Sequence, residues 1–113
     1  MNISIKGYGE NTATFRTQGL VSPGCPVKMA DNLTVAPCGA DEEFIGIAVN
    51  VRGEYACVQL AGYAEVDFSG PAPELGYCAL TADGVGGVLA EGAGRQYLVV
   101  NVGITEPKAG IIL

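Results

Sequence analysis

Gly24-Cys25-Pro26-Val27-Lys28-Met29-Ala30-Asp31-Asn32 returns later in the chain as Gly76-Tyr77-Cys78-Ala79-Leu80-Thr81-Ala82-Asp83-Gly84. The doubling continues beyond this stretch. Phe44-Ile45-Gly46-Ile47-Ala48 finds a partner in Asn101-Val102-Gly103-Ile104-Thr105, and Val58-Gln59-Leu60 in Ile111-Ile112-Leu113. Each copy reads as a short strand, a turn, a strand, a longer strand and a return strand. A repeated β unit in a chain without histidine points to a structural or binding module before it points to a catalyst.

Working outward from the doubled stretch, seventeen glycines and six prolines cut the chain into short apolar runs. Almost nowhere do apolar residues recur at helical spacing for three turns, so the chain reads as all-β. Turn signals at Asp31-Asn32, Arg52-Gly53-Glu54, Asp83-Gly84 and Glu106-Pro107-Lys108 separate strands expected at about 27–30, 33–36, 44–51, 55–60, 63–68, 77–82, 86–90, 96–105 and 109–113. Tyr63, Glu65 and Asp67 alternate with Ala64, Val66 and Phe68, the pattern of a strand with one wet face. Gly46 and Gly103 stand inside nearly continuous apolar runs, where glycine marks a bulge, a bend or a close backbone approach. The one expected helical turn lies at Ala40-Asp41-Glu42-Glu43. With 113 residues the chain is the size of one domain. The fold class expected is a small β-barrel or sandwich built from two similar halves, with an extended N-terminal segment.

Composition narrows the function. Hydrophobic residues make up 49% of the chain, yet no run approaches the roughly 18 apolar residues of a membrane helix, and Met1 to Lys6 lacks the pattern of a secretion signal. The expectation is no membrane partner, with apolar surface used in self-association or in docking on a larger assembly. A net charge of −6 with six scattered cations argues against a nucleic-acid partner. Residues 1 to 30 hold Lys6, Arg16 and Lys28 against Glu10 alone, whereas the remainder is strongly acidic.

Chemistry-bearing motifs are sparse. Without histidine the commonest general base is missing, and no serine sits in a Gly-x-Ser-x-Gly elbow, so no catalytic residues are expected. Cys25, Cys38, Cys57 and Cys78 lack metal-ligand spacing, which leaves no expected metal or cofactor and predicts free thiols. Cys25 and Cys38 are equidistant from Asp31-Asn32, so an unbulged hairpin would set them opposite each other. Asp31 and Asp83 are expected to stabilise their own turns. Asp41-Glu42-Glu43 reads as a solvated surface in preference to a Ca²⁺ site.

The first residues differ from the rest. Gly7 to Gly19 is polar, Thr-rich and thin in apolar anchors, while Thr12, Thr14 and Phe15 favour extended backbone. Residues 1–19 therefore read as an extended arm that joins a partner's sheet by strand addition, or else as an ordinary first strand; residues 20–113 read as the β body.

Gly24-Cys25-Pro26-Val27, Leu33 to Pro37, Phe44 to Ala48, Val58 to Val66, Gly76-Tyr77-Cys78 to Asp83-Gly84 and the Val102-Gly103-Ile104 ending come in an order that resembles the small capsid decoration, or head-stabilising, proteins of tailed bacteriophages and prophages. The resemblance covers about residues 20 to 113 and lies in the order of common β patterns. It implies a non-enzymatic homotrimer on the outer surface of the virion head, clamping neighbouring major capsid protein subunits. The capsid contacts it leads us to expect are Ile3, Ile5, Lys6, Tyr8, Thr12, Thr14, Phe15 and Arg16. A competing expectation is a carbohydrate- or ligand-binding β module of a host-surface adhesin, whose cleft would be lined by some of Tyr8, Tyr55, Tyr63, Tyr77 and Tyr97.

Overall fold

The computed structural model describes residues 11–90, 94–103 and 105–113, which form ten strands and no helix. They are β1 (Asn11–Thr17), β2 (Pro26–Asp31), β3 (Thr34–Pro37), β4 (Gly46–Arg52), β5 (Tyr55–Ala61), β6 (Tyr63–Ser69), β7 (Gly76–Ala82), β8 (Val88–Ala90), β9 (Arg95–Val102) and β10 (Lys108–Ile112). The first five close into a barrel in the order β1-β3-β2-β4-β5, and the last five into a second in the order β10-β6-β8-β7-β9. Each half of the chain thus closes on itself, and closure removes most of the edges that open sheets expose.

The two barrels are the same unit built twice. In each, the first strand runs parallel to the third and antiparallel to the fifth, and every other ladder is antiparallel. Even a bulge repeats: Ala48 pairs with Val58 and Asn50 with Cys57, while Val99 pairs with Ile111 and Asn101 with Gly110, so Val49 and Val100 are the extra residues. Both bulge valines stand out into solvent, at 50% and 38% exposure. Aligning the ladders sets Val27, Val35, Ala48, Ala56 and Val58 against Leu80, Val88, Val99, Ala109 and Ile111, and all ten are almost fully buried. The equivalent positions hold small aliphatics in the first barrel and mostly larger ones in the second.

That alignment corrects the sequence reading in two places. Val27 is matched by Leu80 and not by Ala79, because the bulge residue Ala30 has no counterpart between Ala82 and Asp83. The partner of Ala48 is Val99, not Thr105; Gly46 opens β4, whereas Gly103 lies just past the end of β9. Two glycines of similar apolar context had drawn the match a turn too far along.

The barrels are joined tightly. Only Gly62, at φ 93°, separates β5 from β6, a backbone conformation that glycine alone adopts freely. The buried Gln59 amide donates to the carbonyls of Ala61 at 3.0 Å and Tyr63 at 2.8 Å, holding this junction from one side. The segment between β3 and β4 crosses over as well: Asp41 N–H donates to the Ala82 carbonyl and Ala82 N–H to that of Glu42, both at 2.9 Å. In place of the helical turn expected at residues 40–43, Ala40 forms a bridge to Asp83, and Asp41 takes φ 64°. Phe44 and Ile47 then enter the second barrel's apolar cluster, where Phe44 stacks on Tyr97 at 4.9 Å and its carbonyl accepts the Tyr97 hydroxyl at 3.1 Å.

Hairpin details follow from bulges. The hairpin turns at Asn32-Leu33, one residue beyond the expected Asp31-Asn32, and Ala30 is an extra residue between the pairs Met29–Val35 and Asp31–Thr34, so Val27 faces Pro37. Cys25 and Cys38 are therefore not an opposed pair, and all four cysteines are free. Asp31 accepts from Asn32 N–H at 2.8 Å; Asp83 accepts from Val85 and Gly87 N–H and from the Ser69 hydroxyl. Burial pulls the Asp83 carboxyl upward, but these donors outweigh it and hold it below the ordinary value.

Candidate interaction surface

Strand β1 is the element that the sequence reading split between arm and body. From Asn11 to Arg16 it pairs along its length with β5, and at Arg16 and Thr17 with β3. Residues 11–17 are thus part of the first barrel, and the division of the chain at residue 19 is corrected to that extent. Of the expected contact residues, Ile3, Ile5, Lys6 and Tyr8 lie outside the described residues. Thr12, Thr14 and Arg16 face outward, whereas Phe15 turns inward against the first barrel's core and leaves the set of surface contacts. The alternation of one strand produces this split: successive side chains leave opposite faces.

Ladder register places the outward residues of β1 beside those of β5 and β4. Arg16 is opposite Tyr55, and Tyr55 opposite Arg52, forming one row across three strands. Thr14, Cys57 and Asn50 form the next row, and Thr12 lies opposite Gln59 beyond it. All three members of the first row are exposed, and the Arg16 guanidinium lies 6.0 Å from the centre of the Tyr55 ring, within cation–π range. The three strands carry two arginines and no acid, which sets this face apart in an acidic chain. Sequence reasoning named Arg16 as a contact, but gave Tyr55 only to a competing carbohydrate-binding cleft and read Arg52 as a turn residue, because both join Arg16 only through pairing across the sheet. The arginine–turn–tyrosine spacing of the β4–β5 hairpin was the available signal.

The other described cations are engaged elsewhere. Lys28 bonds to Glu42 at 2.6 Å and Lys108 to Asp67 at 3.2 Å, while Arg95 lies over the buried Tyr97 ring at 5.1 Å. The hydrogen bond to Glu42 raises the Lys28 ammonium above its ordinary value, and the same bond, with Gly39 N–H, lowers the Glu42 carboxyl. Among the described residues no group of three or more acids and cysteines is placed to hold a metal ion.

A groove of about 380 Å³ runs between the barrels, edged by the exposed Leu20 and Val85 and lined by Pro23, Pro37 and Cys38, with Asp67 the one charged residue along it. Among the described residues the tyrosines do not converge on a cleft: Tyr55 is exposed on the first barrel, Tyr77 on the second, Tyr63 is half-buried on β6, and Tyr97 is buried; Tyr8 lies outside the described residues. No model of a known protein family matches this chain, and no curated protein is similar to it.

Proposed function

We propose that this chain is a non-enzymatic capsid decoration protein of a tailed bacteriophage or prophage, which binds the outer surface of the head, associates with copies of itself, and bridges major capsid protein subunits. The observation that carries this reading is the state of β1. Between Asn11 and Phe15 it is paired on one side only among the described residues, by β5. A strand with one free edge accepts a further strand through main-chain hydrogen bonds, which suits a partner whose surface is repeated many times. The order of motifs resembling head-stabilising proteins, and the doubled barrel with no catalytic arrangement in its sequence, support the same reading. A clamp works through many modest contacts, and a trimer multiplies them by avidity.

Co-sedimentation of the purified protein with expanded phage heads tests it. Wild-type protein is expected to pellet with heads, and the full-length triple variant Ile3→Asn/Ile5→Asn/Tyr8→Ala to bind at least tenfold more weakly. Equal binding by the variant removes Ile3, Ile5 and Tyr8 from the contact; no binding by wild type removes the function.

A further inference from the structure

Because the barrels repeat, each side chain of the cationic row has a counterpart in the second barrel. Register sets Arg16 against Asp67, Tyr55 against Lys108, and Arg52 against Gly103. In the next row Thr14 becomes Glu65 and Cys57 becomes Gly110. With the hairpin turns included, the first face carries Arg16 and Arg52 against Glu54, and the second carries Glu65, Asp67 and Glu106 against Lys108, so the face that is cationic in the first barrel is acidic in the second. Lys108 is surrounded there: Asp67 bonds to it, and the charges of Glu106 and Glu65 also act on it. With Lys108 taken by Asp67, Glu65 and Glu106 have no ion-pair partner among the described residues.

Shape follows the same exchange. A shallow recess of about 230 Å³ opens beside Gly103 and Gly110, edged by Glu65 and Glu106. At Gly110 the Tyr63 phenol stands where a side chain would be, so this face carries an aromatic ring beside its acids. The opposite face presents Tyr55 between two arginines that form no ion pair among the described residues. Tyrosine and arginine are, with tryptophan, the side chains enriched at the energetic centre of protein contacts.

We propose that the β4–β5–β1 face of one copy docks on the β9–β10–β6 face of a second copy, with Arg16 and Arg52 set against Glu65 and Glu106. Like faces repel, so the contact is head-to-tail, and its repetition closes a ring or extends a chain according to the angle between the two faces. This rests on the self-association in the reading above and not on the capsid, and it assigns Arg16 to the contact between copies. An acidic patch alone specifies no ligand; what specifies a second copy is that one chain carries both complementary faces at equivalent positions.

Sedimentation velocity on the full chain, without capsids, is the test. Wild-type protein is expected to form oligomers at about 50 mM salt and to shift towards monomer near 1 M, where the screening length falls to about 3 Å. Arg16→Glu/Arg52→Glu and Glu65→Arg/Glu106→Arg are each expected to dissociate at least tenfold more readily, and an equimolar mixture of the two to associate again. Arg16→Gln/Arg52→Gln, checked by circular dichroism for native β structure, covers a charge-reversed variant that fails to fold. A monomeric wild type at low salt, unchanged association of the variants, or a mixture that stays monomeric overturns the proposal.

Discussion

At Cys38 the surroundings decide the chemistry of a single atom. Burial pushes its thiol up to about 11, the neighbouring Glu42 carboxylate adds to the effect, and Lys28 opposes it. The thiolate is the nucleophile, so Cys38 is expected to be a poor one at neutral pH. In a Cys25→Ser/Cys57→Ser/Cys78→Ser background, its alkylation by iodoacetamide at pH 8 should run roughly a hundredfold slower than that of a thiol at the ordinary value of 9.0, and climb as the pH nears 11. The same shift bears on stability. Below pH 9 both folded and unfolded chains hold the proton; between about 9 and 11 only the unfolded chain releases it, and stability falls over that window. A rate at pH 8 matching an exposed thiol contradicts this account.

Elements were legible where the pattern was local. The strands expected from 27–30 to 109–113 all occur within a few residues of their positions, because glycine, proline and Asp-led turns punctuate the chain on both sides of each. Registers were not legible. The turn at Asn32-Leu33, the extra residue Ala30 in the β2–β3 hairpin, and the bulges at Val49 and Val100 depend on partners across the sheet that no window of sequence contains. For the same reason the interaction face was half visible: Thr12, Thr14 and Arg16 share a strand, whereas Tyr55 and Arg52 reach them only by pairing. Strand β1 itself was ambiguous, since β propensity cannot say whose sheet a strand joins. Hydrogen exchange on the free protein checks its place. Amides of Asn11–Phe15 directed at β5 are expected to be protected, and the alternating ones directed at the open edge to exchange quickly. Uniformly fast exchange from 11 to 17 would remove β1 from the barrel.

At the scale of the molecule, two closed barrels could fold as independent units, but the path of the chain opposes it. Phe44 belongs by sequence to the first barrel and by packing to the second, and the strand-like contacts of residues 40–42 with Ala82 and Asp83 hold it there. The first barrel cannot open fully without drawing this aromatic out of its neighbour's core. The second cannot lose its core without releasing the Tyr97 hydroxyl from the Phe44 carbonyl. Loss of either unit thus exposes apolar surface in the other, the condition for a single cooperative transition. Urea unfolding followed at once by tyrosine fluorescence and far-UV circular dichroism is expected to give one coincident curve. Phe44→Ala, which empties a site only 3% exposed, should cost about 3–5 kcal/mol and move both signals together. Two separated transitions in the wild-type protein, or a Phe44→Ala variant that destabilises one barrel while leaving the other's midpoint in place, would show that the crossing segment decorates the interface without coupling the halves.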